Sequence, residues 1–366
     1  MLYTEKERKF LPPSLVDISL PKYIIDTSSF FNSKKEDFRI FLFPSLDRAI
    51  YSWGYSSNSH LLPYLVKKGF IMKLPSPSIS NAEKIRDIVM DSYTTKSISQ
   101  ILRILNVKYV VERKDIIYNF YHRSKETPNF VKYCLDLQES LKFQKTMGKN
   151  VIYQLSSDNF LPHIYSSASN VIVYDNIDTM INILQTTSFD KLPLFIEKNH
   201  LKLTNLDRLS LAKTLPTVIF RKINPTRYEV KVENATGPFF LVFLESYHPK
   251  WKAYVEMRNR NWKTETRHWE IIAEYPKINV KEAKHEMRFT PKDVAYLFKK
   301  PLPEKYHLLV NGYANAWFID PNEIGKQNFT ITLYFWPQSL FYLGLFISGV
   351  TLLGCLGYLG YERIKG

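Results

Sequence analysis

Cysteine is almost missing from this chain, with two among 366 residues. Cys355 falls inside a long apolar run near the C-terminus, and Cys134 lies far upstream in a different setting. The two are not expected to pair, and no internal disulfide is expected. That leaves the compartment open, because many exported proteins lack cysteine pairs. Also missing are the short motifs that announce chemistry. There is no G-x-S-x-G, no Walker loop and no G-x-G-x-x-G. Four of the eight histidines, His248, His268, His285 and His307, fall in the strand-rich stretch 215–336. None sits at HxH, HxxxH or HExxH spacing, and no cysteine pair assists them. Catalytic residues, metal ligands and cofactors are therefore not expected. Met1 to Arg39 is rich in charge and holds no apolar run long enough for the core of a secretory signal. Internal repeats and low-complexity linkers are absent as well.

What the chain has in abundance is aromatic side chains and positive charge. Its 24 Tyr and 24 Phe, within a 45% hydrophobic composition, suit large aromatic cores. The net charge is +15. A basic surface can serve nucleic acid, but no zinc knuckle, basic helix or other nucleic-acid module is visible. Nucleic acid is not an expected partner, whereas the anionic surface of a lipid bilayer is.

The bilayer is indicated directly by the last stretch. Gln327 to Tyr361 contains no charged residue. Within it, Leu340–Tyr361 reads LFYLGLFISGVTLLGCLGYLGY. At about 1.5 Å per residue this makes a helix of roughly 33 Å, enough to cross a hydrocarbon core. Trp336, Tyr342, Tyr358 and Tyr361 lie toward its ends, where amphipathic rings prefer to sit. Pro337 suits a helix start, and Glu362, Arg363 and Lys365 return the chain to water. A buried core helix would keep a polar stripe, and this one has none. The tail after the run is net positive and the flank Asp320–Lys326 is net negative. The positive-inside tendency then places the C-terminus in the cytoplasm and the body outside. Nothing in the chain would export such a body. The expectation is either a cytoplasmic, tail-anchored body or an upstream membrane portion missing from this reading frame.

The expected fold class is α+β: a mixed α/β domain, then an all-β, jelly-roll-like sandwich, then one transmembrane helix. The expected divisions are an extension at 1–35, a mixed α/β domain at 36–214, a β-sandwich at 215–336, the membrane helix at 337–361 and a tail at 362–366. In the first half, PKYIIDTSSFF reads as a short helix and FRIFLFP as a compact apolar strand. A helix is expected from Ser80, with Glu83 at capping-box spacing. A second follows through Ile98, Ile101, Leu102 and Leu105. VKYVVE is a strand, and Asn129–Leu141 is helical. LKFQKT and NVIYQL form a hairpin around Met147–Gly148–Lys149. HIYSS, NVIVYD and LPLFIE are strand candidates around a helix IDTMINILQ. From Thr217 to Trp336 strand follows strand, separated by turn signals at 224–225, 237–238 and 311–312.

One cluster in the β half stands out. Glu245–Tyr254 reads ESYHPKWKAY, with three aromatics around a proline turn, and Trp262 and Trp269 follow. Exposed aromatic faces can stack on sugar rings, so Trp251, Tyr247, Trp262 and Trp269 are the candidate carbohydrate contacts. The plain alternative is that Trp251 and Tyr254 are core residues of a strand.

These residues also form a resemblance. VFLESYHPKWKAYV looks like the ESYhPgWkAyv segment in the exported C-terminal region of polytopic GT-C-type glycosyltransferases, the YfhO-like and arabinofuranosyltransferase-like membrane proteins. LLVNGYANAWFID and YFWPQSLFYLGLFIS resemble the last strands and closing helix of that region. ILRILNVKYVVERKDI resembles its LgVkYvVvrnDl strand, and DFRIFLFP and LPHIYSS sit in matching order. Lys250 stands where the pattern has glycine. Members of these families begin with many membrane helices and keep their catalytic carboxylate in an early exported loop, so no catalytic residue transfers here. The resemblance implies a non-catalytic, extracytoplasmic accessory region of a transferase that uses a polyprenyl-phosphate-linked sugar in cell-envelope glycan or glycolipid assembly. Its implied partners are a polytopic membrane protein or a missing N-terminal half, and a glycan or polyprenyl-phosphate-sugar. The competing readings are a free-standing, membrane-anchored glycan-binding module and an independent soluble-domain enzyme.

Overall fold

The computed structural model describes residues 19–366 apart from 45–48, 58–59, 73–84, 86–97, 118–126, 158–159, 169, 188, 190–192, 201–210, 257–268, 287 and 289–290. The helix expected from Ser80 lies almost wholly outside the described residues.

The first sheet is built from β1 (Arg39–Phe43), β4 (Gly69–Ile71), β5 (Val107–Arg113), β6 (Leu141–Met147) and β7 (Asn150–Leu155), in the order β4-β1-β5-β7-β6. A two-stranded hairpin, β2 (Ala49–Ile50) with β3 (Ser56–Ser57), lies apart from it. β1 runs parallel to both β4 and β5, and β7 lies between β5 and the edge strand β6, antiparallel to both. β1 is a continuous apolar run because both of its faces are covered. Phe41 and Phe43 enter one core with α3 (Ile98–Ile104) and α4 (Pro128–Asp136). Ile40 and Leu42 enter another, with Phe31 of α1 (Lys22–Asn32) and Leu62 of the one-turn α2 (Leu62–Leu65).

Two six-stranded sheets follow. One has the order β8-β13-β18-β17-β10-β9. It combines β8 (Ile164–Ser167), β9 (Val171–Tyr174) and β10 (Leu194–Glu197) with β13 (Phe239–Ser246), β17 (His307–Val310) and β18 (Ala314–Ile319). The other has the order β14-β19-β12-β11-β16-β15. Its strands are β11 (Thr217–Asn224), β12 (Arg227–Glu233), β14 (Trp251–Glu256), β15 (Ile271–Tyr275), β16 (Val280–Ala283) and β19 (Phe329–Phe335). The sheets pack face to face: Phe243 of β13 meets Tyr228 of β12 at 4.8 Å and Trp251 of β14 at 4.9 Å. β17 and β18 are joined at Asn311 and Gly312, both at positive φ (51° and 77°), the conformation that an Asn-Gly hairpin turn requires. α5 (Ile177–Thr186), capped by the Asn176 side chain, lies between β9 and β10. The short α6 (Pro321–Ile324) precedes β19.

β19 runs almost directly into α7 (Pro337–Lys365), 29 residues long. Its most apolar stretch has a mean hydropathy of 2.0 and buries no residue against the rest of the protein. The chain thus has the expected class, a mixed α/β body with several sheets and one C-terminal helix long and apolar enough to span a membrane. Only the start of α7 touches the body, where the buried Ser339 hydroxyl donates to Asp293 O (2.8 Å).

Candidate functional site

Of the four aromatics singled out in the sequence, Trp251 is 7% exposed. Its ring packs among Phe243 (4.9 Å), Phe335 (5.3 Å) and Tyr228 (6.3 Å). Position 251 is the first residue of β14, and alternation along that strand turns Trp251, Ala253 and Val255 toward the facing sheet. This is the surrounding of a core residue, and no ring face is left for a sugar. Tyr247 is half-buried, its ring 4.9 Å from His307. Trp262 lies outside the described residues.

Trp269 is placed differently. It is half-buried just before β15 and lines a depression of about 530 Å³ with Arg221, Glu270, Lys284, His285, Glu286 and Arg288. Beneath the indole lie two cations, the Arg221 guanidinium at 4.4 Å and Lys231 Nζ at 3.8 Å from the ring centroid. Both project from the outer face of β11 and β12, as the register Arg221↔Glu229 and Ile219↔Lys231 requires. Arg221 is held by Glu229 (2.7 Å) and by Glu286, and Lys284 pairs with Glu270 (2.8 Å). Among the described residues, Trp251, Tyr247 and Trp269 do not form one platform. Trp269 is ringed by hydrogen-bonding side chains of both charges.

A second constellation was not singled out in the sequence. The Arg39 guanidinium donates to Leu244 O (2.6 Å), Leu105 O (3.1 Å) and Tyr313 Oη (3.1 Å), and lies 3.4 Å from Glu245. The other oxygen of Glu245 is 3.2 Å from His163 Nε2. His163 is 3% exposed, stacks on Tyr228 (5.5 Å) and has Asp37 at 3.9 Å from Nδ1. Lys222 Nζ is 3.8 Å from the same Asp37 oxygen. The Asp37 N–H donates to Glu282 (2.6 Å), and Glu282 also accepts from Tyr275 (3.2 Å) and His285 (2.9 Å). Burial alone would raise the Glu245 carboxyl, but His163, Arg39 and Lys222 outweigh it and hold it at about 2. Asp37 is likewise lowered, burial being overcome by His163, Lys222 and His285. Glu282 goes the other way: burial raises it and His285 offsets only part. The signal available in the sequence was charge inside apolar strands, Arg39 in FRIFLF and Glu245 at the end of FFLVFLE.

Every segment behind the resemblance except the closing helix reaches this network. DFRIFLFP supplies Asp37 and Arg39, LNVKYVV is reached through Leu105 O, and LPHIYSS supplies His163, just before β8. ESYHP begins with Glu245. NGYANAW supplies Tyr313 and also Asn315, whose Nδ2 donates to Glu245 O (2.8 Å). With His163 buried at its centre, the network ties the first sheet to the sandwich. Among the described residues, no group of three or more His, Cys, Asp or Glu is arranged to hold a metal ion.

No protein-family profile matches the sequence, and no curated protein matches it. Among solved structures, matches are to cryo-EM structures of the arabinofuranosyltransferase AftD from Mycobacteria. Identity is 11%, the match covers 86% of this chain and 31% of that one, and the TM-score is 0.39. Two classes of a point mutant of AftD match at 10% identity, with TM-scores of 0.38 and 0.39. The present chain spans about a third of the length of these structures.

Proposed function

We propose that the chain is a non-catalytic, extracytoplasmic accessory region of a GT-C-like, polyprenyl-phosphate-sugar-dependent membrane glycosyltransferase that builds envelope glycan or glycolipid. The supporting observation is the convergence just described. Segments as far apart as Asp37 and Asn315, recognised separately by their resemblance to the exported region of such enzymes, meet in one buried network. In this reading α7 anchors the body, the transferase chemistry resides in a polytopic partner or in a longer form of the polypeptide, and Trp269 contacts glycan. Purification from the native membrane in mild detergent tests it. The expected result is recovery with a polytopic partner or as one piece of a longer polypeptide. Recovery of a lone folded monomer of this chain's mass would overturn the accessory role and favour the free-standing glycan-binding module.

A further inference from the structure

The turn His248-Pro249-Lys250 sits where the last sheet meets the C-terminal helix. β14 and β19 are paired through Trp251↔Phe335. One residue on, the Trp336 N–H donates to Lys250 O (3.0 Å), and α7 begins at Pro337. Turn and helix start are thus one hydrogen-bonded unit. Asn315 holds it from behind: its Oδ1 accepts from the His248 N–H (3.4 Å), and its Nδ2 donates to Glu245 O and to Ser246 O (3.3 Å). The Tyr247 N–H donates to Tyr313 O (2.6 Å). Inside the turn, the Lys250 N–H donates to His248 Nδ1 (3.1 Å). With Nδ1 accepting, the ring proton of the neutral imidazole belongs on Nε2.

His248, Pro249 and Lys250 are all exposed. Lys252, two residues on, is paired with Glu304, whereas Lys250 has no carboxylate partner among the described residues. Its ammonium lies 5.5 Å from the centroid of Trp336 instead. Ser339 is the last fully buried side chain of α7, and apolar side chains stand exposed from Leu340 onward. At 1.5 Å per residue, the apolar boundary therefore begins about 6 Å past Trp336. A tryptophan at that level belongs among lipid headgroups, and a lysine lying on its ring presents its charge at the same depth.

We propose that this turn is a lipid-headgroup site, in which the Lys250 ammonium and the His248 Nε2–H hold phosphate oxygens of an anionic phospholipid in the leaflet that α7 enters. The inference rests on α7 spanning a bilayer and adds to that reading a fixed contact on the body itself. Its rigidity separates it from a chance surface cation. Lys250 is tied to the helix start by the Trp336 N–H, and His248 to the sandwich by the Trp251 N–H and Asn315, so the headgroup contact sets the depth and tilt of the body over the membrane.

The test uses the full chain reconstituted into bilayers of phosphatidylcholine with trace acyl-chain spin-labelled phosphatidylglycerol or phosphatidylcholine. The ratio of the two motionally restricted fractions reports lipid selectivity. The wild-type chain should prefer phosphatidylglycerol, and Lys250→Gln should reduce that preference up to about five-fold, the effect of one basic residue near a membrane surface. His248→Gln should reduce it less, and high salt should erode it. An unchanged preference in Lys250→Gln, in a chain that inserts and keeps its far-ultraviolet circular dichroism, overturns the proposal. Failure of the wild-type chain to enter the bilayer would instead refute the spanning helix.

Discussion

Arg39 and Glu245 are 206 positions apart in the sequence and 3.4 Å apart in the fold. Arg39 belongs to the first strand of the first sheet and Glu245 to the end of β13 in the sandwich. Their pairing, with the Arg39 bonds to Leu244 O and Leu105 O, fastens the two parts together. Arg39→Ala removes one partner of a largely buried pair and leaves carbonyls unsatisfied. Its expected cost is about 3–5 kcal/mol, read from urea unfolding of the detergent-solubilised chain. Arg39→Lys should recover only part, since an ammonium cannot reproduce the forked set of bonds. A loss below about 1 kcal/mol for Arg39→Ala would show that the two parts hold without it.

The same network sets an acid limit to stability. Glu245 is held at about 2 in the folded protein, and Asp37 is also lowered. Both are proton-poor when folded compared with an unfolded chain, whose carboxyls titrate near about 4. Their stabilisation is therefore complete above about pH 5 and is lost as the pH falls toward 2. Glu282, raised by burial, acts in the opposite sense and is eased by protonation. Thermal midpoints should fall steeply between about pH 5 and 2, and Glu245→Gln should flatten that limb. An equally steep limb in the variant would place the acid sensitivity elsewhere.

Trp251 and Trp269 should behave as opposites. Trp251→Ala removes a ring packed between two sheets, and a loss of about 3–5 kcal/mol is expected. Trp269→Ala loses only its contacts with Arg221 and Lys231 and should cost about 1–2 kcal/mol. If its depression holds glycan, the same change should weaken binding of a panel of neutral oligosaccharides about ten-fold, roughly 1.5 kcal/mol for one aromatic contact. Unaltered glycan affinity in Trp269→Ala would remove that residue from any sugar site.

The orientation inferred from the charges flanking α7 is open to a direct check. Protease added to spheroplasts should remove the body, because the net-positive tail is expected on the cytoplasmic side. Protection until the membrane is broken would reverse the assignment.

Local structure was legible in the sequence wherever one periodic pattern met one boundary signal. The α5 segment is an example: Ile177, Met180, Ile181 and Leu184 lie at helical spacing behind two capping candidates, Asp175 and Asn176, of which Asn176 accepts the Thr179 N–H. So is the Asn311-Gly312 hairpin, whose two positive-φ residues allow little else. The apolar helix Pro337–Lys365 was legible because its length and composition answer to the solvent rather than to other parts of the chain.

Pairing between distant strands was not legible in this way. β8, β9 and β10 read as strands beside the first sheet, yet β8 pairs with β13 and β10 with β17. An apolar strand pattern states that a face is buried and not which strand lies beside it. The same holds for side chains. Trp251 and Trp269 look alike as indoles near a proline turn. Only the register Trp251↔Phe335 turns the first into the core, while the position of Trp269 over Arg221 and Lys231 leaves the second at the surface. Asp37, Arg39, His163 and Glu245 are spread over three segments, and what brings them together is the packing of the first sheet on the sandwich. Composition and periodicity act over a few residues, and that is as far as this sequence determined its own structure; contacts across two hundred residues were decided by which buried faces fit.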